Sequence, residues 1–317
     1  MESVANPLGL VCAECRQPLA VVGDSLVCAE GHGAGRVYDG VFDVARPREG
    51  ADAALVEFWS SSEEYYEFAR EMNPDYESAD HGSHRMLLQA LVNDSAGRVL
   101  DIGCGTAEFS VALASVLSGV DYVGLEVSTL AARQAVAFGR PGSFVVGDAE
   151  RLPFPDASFD AVISLYALEH FTHPREVLQE MARVVRPGGL VGVLTVTYDR
   201  PTGTIPSIRF GVKRLGRRNV AVYAIRRLWF GFRQAAKQVR YAVLPSYTAF
   251  EIVRRPLVLD EQYSSDMDAV HVVSGRSVLR VLQAEGLAIL NTSLPRGVSG
   301  YVRIPFDFRV LARKPKP

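Results

Sequence analysis

The stretch Arg98-Val-Leu-Asp-Ile-Gly-Cys-Gly-Thr-Ala-Glu-Phe109 decides the fold. Val99, Leu100 and Ile102 read as a buried parallel strand, and Gly103 and Gly105 let the backbone turn sharply. An apolar run over 111–117 continues as the helix that packs back onto the sheet. A strand, a glycine turn and a helix N-terminus offer bare backbone to a ligand. Such turns are common, so the polar residues that end the later strands carry the chemistry.

Working outward, a second strand over 122–125 ends in Glu126, about 20 positions past the glycines, where a carboxylate accepts hydrogen bonds from ribose hydroxyls. A third strand over 143–146 ends in Gly147-Asp148-Ala149, with Asp148 placed to accept from an adenine amino group. Strands over 161–165 and 190–196 flank the segment Tyr166-Ala-Leu-Glu-His170 and a helix over 174–185, which Arg186-Pro-Gly-Gly189 closes. Polar groups thus recur at the carboxyl ends of successive strands, the place where open α/β sheets bind ligands.

The order of these signals resembles the class I S-adenosylmethionine-dependent methyltransferases. The matching residues are Val99-Leu-Asp-Ile-Gly-Cys-Gly-Thr, Glu126, Gly147-Asp-Ala149, Leu152-Pro-Phe, Ser158-Phe-Asp-Ala, Leu168-Glu-His170 and Arg183-Val-Val-Arg-Pro-Gly-Gly189. The resemblance implies a Rossmann-like α/β fold on a seven-stranded sheet. It implies that Asp101, Gly103 and Gly105 line the methionine end of S-adenosylmethionine, that Glu126 binds the ribose, and that Asp148 and Ala149 meet the adenine. Ala107 departs from the pattern, which more often has a third glycine there. A NAD enzyme is disfavoured, because Asp101 before the glycines and the Pro-Gly-Gly turn belong to the methyltransferase pattern. Cys104 reads as a small packing residue.

The N-terminus has its own chemistry. Cys12-Ala-Glu-Cys15 and Cys28-Ala-Glu-Gly-His32 give two knuckles with tetrahedral zinc spacing, joined by a hairpin around Gly23-Asp24. A closed, structural zinc on Cys12, Cys15, Cys28 and His32 is expected, contributing folding energy to a head too small for a core of its own. This stretch resembles the zinc-ribbon heads of several methyltransferases, including bacterial ribosomal RNA guanine methyltransferases. Three cysteines in a metal-like cluster fit a reducing cytoplasm.

The expected domains are a zinc-ribbon head over 1–46, a helical cap over 47–96 and a methyltransferase core over 97–317. In the cap, Asp52 is expected to start the first of two short helices, and residues 85–92 a third; Tyr65, Tyr66, His81 and His84 are candidate pocket residues. No signal peptide and no apolar run long enough for a membrane span is evident, which points to the cytoplasm.

Residues 199–264 read as a helical insertion before the sixth strand. The chain's net charge is −2, yet no acidic residue lies between Asp199 and Glu251. Ala221, Ile225, Leu228, Phe232, Ala235, Val239 and Val243 recur at helical spacing, with Arg226, Arg233, Lys237 and Arg240 on another face. Three readings stay open: a lid packed on the core, a basic amphipathic helix meeting an anionic membrane or lipid-like substrate through 209–243, and an RNA-binding surface. A last helix over 275–285 and a long hairpin over 287–312, turning at 296–300, complete the fold.

The expected activity is methyl transfer to a small-molecule or lipid-like acceptor, with oxygen favoured. Tyr166, His170, His271 and His84 are the candidate bases. RNA base methylation is the alternative, and a cofactor-binding protein without methyl transfer the second.

Overall fold

The computed structural model describes residues 4–46, 50–197, 220–252, 271–295 and 307–317. The strongly apolar segments around the glycine turn form β6 (Arg98–Ile102), β7 (Asp121–Glu126), β8 (Ser143–Val146), β9 (Phe159–Leu165) and β10 (Val185–Val196). They pair in the order β8-β7-β6-β9-β10, all parallel. The sheet ends with β14 (Asp307–Arg313), antiparallel to β10, and β13 (Ala288–Thr292) beyond it. These seven strands are the expected Rossmann-like sheet.

Apolar clusters cover both of its faces, which is why its strands read as near-continuous hydrophobic runs. One face carries α3 (Arg85–Asn93), α4 (Glu108–Val116) and α5 (Thr129–Ala137). The other carries α6 (Pro174–Val184) and α8 (Gly275–Ala284), with Val177, Leu178, Met181, Val278 and Leu282 pointing at the sheet.

The charged residues of the connecting turns have structural duties. Asp160 accepts from the amides of Gly97 and Arg98 at 2.8 and 2.7 Å and pairs with Arg186, pinning the start of β6 to β9. Burial opposes ionisation of Asp160, but Arg186 and those two amides hold its carboxyl below the usual range. Arg183 reaches back to the carbonyls of Phe154 and Leu152 and so fixes the Leu152-Pro-Phe loop.

The head is not a free-standing appendage. Strands β1 (Val4–Ala5), β2 (Leu19–Val22), β3 (Ser25–Cys28), β4 (Gly35–Tyr38) and β5 (Val41–Asp43) form an antiparallel ribbon, and β5 then pairs in parallel with β8. The result is one continuous sheet of twelve strands. Leu8, Leu10, Leu19 and Leu26 are buried in the same cluster as Leu152 and Phe154. Arg16 donates to the Leu152 carbonyl at 2.7 Å, and the Val11 amide donates to the Pro153 carbonyl at 2.9 Å. The head, too small for a core of its own, thus shares the core of the body.

The cap contains α1 (Gly50–Ser61) and α2 (Glu63–Met72) as expected, but α1 begins at Gly50, so Asp52 lies inside it instead of capping it. The Ser128 hydroxyl donates to the Trp59 carbonyl at 2.7 Å and ties α1 to the end of β7. Residues 220–243 form the 24-residue helix α7. A separate two-stranded pair, β11 (Glu251–Ile252) and β12 (His271–Val272), comes next. Residues 199–219 of the expected insertion, with Arg209, Lys213 and Arg214, its residues 253–264, and the turn at 296–300 lie outside the described residues.

Candidate active site

The glycine turn is built by its backbone angles. Gly103 and Gly105 have φ of +72° and +55°, and Ala107 comes after them at φ 59°, ψ 36°, in the left-handed region. The family's third glycine therefore has a reason, and Ala107 meets the same demand at a cost of about 1–2 kcal/mol. A Cβ on Gly103 would stand 2.5 Å from the Ala167 Cβ and 3.3 Å from the Phe171 ring, so the turn packs directly against the segment after β9.

Glu126 organises the turn. Its Oε2 accepts from the Gly105 amide at 2.9 Å, and its Oε1 from the amides of Val127 and Ser128 at 2.9 and 3.0 Å. Burial pushes its carboxyl up, opposed by these amides and by nearby His170. Asp148, at the end of β8, accepts from the Glu150 amide at 2.9 Å and starts the short turn that begins at Ala149.

Asp101 lies behind the turn, 2% exposed. Tyr122 donates to its Oδ2 at 2.7 Å, while its Oδ1 is buried and meets no donor among the described residues. Burial pushes this carboxyl up to about 7, against the Tyr122 hydrogen bond, with Glu126 and Glu108 adding to the rise. An acid with a higher pKa folded than unfolded takes up a proton on folding. Its contribution is full below about pH 4 and is lost as pH rises through about 7. The unliganded protein is expected to lose stability across that window, and Asp101→Asn to flatten the decline. Denaturant titrations at several pH values check this; an unchanged profile in Asp101→Asn would contradict it.

The glycine turn, Glu126 and Asp148 meet at a cavity of about 430 Å³ over the carboxyl ends of β6–β9. Its floor is Gly103–Thr106, Glu126, Gly147–Glu150 and Leu165–Ala167. Its roof is Leu55, Val56 and Trp59 of α1 with Tyr65, Tyr66 and Phe68 of α2, so the cap covers the site as the sequence suggests. Tyr166 and His170 line it. Tyr166 sits at φ 51° with its hydroxyl 2.9 Å from the Ser83 hydroxyl, and burial pushes its phenol up. His170 meets Trp59 edge to face at 6.2 Å.

One candidate histidine, His84, is placed elsewhere. His84 is fully buried against Phe109 and Tyr76, with Nε2 on the Ser78 carbonyl at 2.8 Å, and burial lowers its pKa. It does not line the cavity, and neither does His81, which packs on Tyr76. The backbone of His271 pairs with Ile252 outside the main sheet, and its side chain lies outside the described residues. Trp59, Tyr76 and Phe171 line the cavity without having been singled out as site residues. The sequence offers no signal separating them from core aromatics. Cys104 packs under Gly124, and burial pushes its thiol well up, which suits a packing role.

The donor set selects the kind of cofactor. Glu108, Glu126, Asp148, Glu150 and Asp307 all line the cavity, and Glu108 occupies the first turn of α4, where a pyrophosphate would need open amides. Five carboxylates against the one arginine of the lining, Arg70, disfavour a dinucleotide's phosphates. A nucleoside bearing hydroxyls, an amino group and positive charge fits.

Comparison with known proteins agrees with that chemistry. Residues 100–193 match the family described as "Methyltransferase domain". The chain carries a class I methyltransferase domain. A demethylmenaquinone methyltransferase from Roseiflexus castenholzii is 37% identical over 134 residues, 42% of this chain and 55% of that protein. The sterol 24-C-methyltransferase erg6 of Aspergillus fumigatus is 31% identical over 166 residues, 49% of this chain and 43% of that protein. The chain thus spans about half the length of the curated relatives it matches. An S-adenosylmethionine-dependent methyltransferase from Mesorhizobium loti aligns at a TM-score of 0.45 and 19% identity, over 74% of this chain and all of that one.

In the head, the ligand atoms of Cys12, Cys15, Cys28 and His32 lie within 4.8 Å of one another. The Cys12 and Cys28 sulfurs are each 3.7 Å from His32 Nδ1, and the Cys15 and Cys28 sulfurs are 3.4 Å apart. Those edges fit a tetrahedron with metal–ligand bonds of about 2.0–2.3 Å. Burial raises the Cys12 thiol, but amides of Cys15 and Glu14 and the neighbouring thiols bring it down to about 7.

Proposed function

We propose that this protein transfers a methyl group from S-adenosylmethionine to a small, largely apolar acceptor, with an oxygen as the acceptor atom. The observation that carries this is the two-part cavity, an acidic floor continuous with an aromatic roof. Glu126, Asp148, Ala149 and the Gly103–Gly105 turn would hold the cofactor, whose sulfonium supplies an electrophilic methyl when bound. Trp59, Tyr65, Tyr66 and Phe171 would seat the acceptor and exclude water, so that positioning provides most of the rate. Names of relatives that act on a menaquinone precursor and a sterol support an apolar acceptor.

A hydroxyl acceptor needs its proton taken. His170 is the imidazole that lines the cavity among the described residues, and it is assigned as the base. His170→Ala is expected to lower turnover about a hundredfold while leaving cofactor affinity within a few fold. His84→Ala should instead lower stability, with turnover of the folded fraction kept. Steady-state kinetics with parallel denaturation curves separate the two outcomes.

The head is read as a structural zinc site on Cys12, Cys15, Cys28 and His32. Elemental analysis of the purified protein is expected to find one zinc per chain, and its absence would overturn that reading. Incubation with methyl-labelled cofactor and separate lipid-soluble, water-soluble and RNA fractions tests the activity. Label in a lipid-soluble small molecule is expected. Label confined to RNA would favour base methylation, the second reading, which the zinc-ribbon head motivates.

A further inference from the structure

Helix α7 sits on the body with its polar side inward. Phe230, Gln234, Lys237, Gln238 and Tyr241 are buried, and the Tyr241 hydroxyl meets the Ser277 hydroxyl at 2.6 Å. Arg280 donates to the Tyr241 carbonyl and fastens the same face to α8. The apolar stripe read from the sequence points the other way. Ile225, Leu228, Trp229, Phe232, Val239 and Val243 are 61–73% exposed. Trp229 and Phe232 stack on each other at 5.9 Å in the open. The packed-lid reading is corrected for this stripe, and Lys237 belongs to the inward face.

A surface helix ordinarily gains its stability by burying its apolar stripe. Among the described residues nothing covers the stripe, which is unfavourable unless another apolar phase does. The covering phase is constrained by charge. Arg233 and Arg240 flank the stripe and Arg227 is exposed nearby, while no acidic residue occurs from 200 to 250. A symmetric second copy would bring the same basic patch against itself. An RNA would use the arginines and leave the aliphatic and aromatic stripe uncovered. An anionic lipid surface accepts both.

We propose that α7 lies in the plane of an anionic bilayer surface, with the stripe in the acyl boundary and the arginines among the headgroups. At 1.5 Å per residue it would give a contact line of about 36 Å. No described helix is long and apolar enough to cross a membrane, so the contact is peripheral as far as the described residues go. The proposal stands on the helix alone and does not depend on which molecule is methylated.

The test is flotation of the full chain with vesicles of phosphatidylcholine, with or without phosphatidylglycerol. The protein is expected to float with the anionic vesicles and to bind neutral ones roughly a hundredfold more weakly. Leu228→Ser with Phe232→Ser should lower binding to anionic vesicles about tenfold or more, and Arg233→Gln with Arg240→Gln should remove most of the preference. All four positions are exposed, so folding, checked by circular dichroism, should persist. Brominated acyl chains should quench a tryptophan signal that Trp229→Phe lacks.

Three results would overturn the proposal. One is absence of flotation with anionic vesicles, or flotation that the variants leave unchanged. Another is a wild-type dimer that the serine variant turns into a monomer, which would assign the stripe to a second copy. The third is a Trp229 already shielded from acrylamide in lipid-free monomer, which would mean another part of the chain covers it.

Discussion

Glu126→Ala is expected to weaken S-adenosylmethionine binding by about a hundredfold or more, the loss of about two charge-assisted hydrogen bonds at roughly 1.5–3 kcal/mol each. The carboxylate has two tasks. It holds the amides of Gly105, Val127 and Ser128, and it presents its remaining lone pairs to the cavity. Truncation therefore loosens the turn as well as removing the acceptor, and unfolding free energy should fall by about 1–3 kcal/mol. Glu126→Gln separates shape from charge. It keeps one acceptor oxygen but adds a donor facing the backbone amides, so an intermediate loss of affinity is expected. Isothermal calorimetry with both variants measures this; an unchanged affinity in Glu126→Ala would remove the residue from the cofactor site.

The second large effect separates the two glycines of the turn. Gly103→Ala combines a left-handed φ with a 2.5 Å approach to Ala167, and is expected to cost about 2–5 kcal/mol of stability. Gly105→Ala has the same backbone demand but meets no atom within 4 Å, because its Cβ would enter open space at the cavity. It should cost only about 1–2 kcal/mol in the unliganded protein. Its larger penalty should fall on cofactor affinity, since the added methyl occupies the cradle. Denaturant curves with and without cofactor would show this crossover. Equal stability losses in the two variants would contradict the packing described.

Much of the cavity floor was legible because its parts succeed one another along the chain. Gly103, Gly105, Glu126, Asp148 and Ala149 each sit at the end of an apolar strand, and period and turn chemistry locate strand ends. The attachment of the head was not legible. β5 is three residues long, too short for periodicity, and its partner β8 lies about a hundred positions away in the chain, at a distance no local signal spans. Asp101 packs behind the turn with Tyr122, a partner that only pairing of β6 with β7 brings near and that the sequence did not signal.

The histidines and α7 show a different limit. His84 and His170 are the same residue type in comparable loops, yet one packs under Tyr76 and Phe109 and the other faces the cavity. In α7 the spacing gave the stripe and the helix length correctly, but periodicity reports that one face is apolar, not what that face meets. The inward face is chosen by Tyr241, Ser277 and Arg280, contacts between segments far apart in sequence.

Titration of S-adenosylmethionine into the purified protein by isothermal calorimetry is the most direct test of the central claim, that the acidic cavity over β6–β9 is a site for a phosphate-free, positively charged nucleoside. One saturable site per chain is predicted, competed by S-adenosylhomocysteine and untouched by NAD. No binding of S-adenosylmethionine, or displacement of it by NAD, would contradict the account.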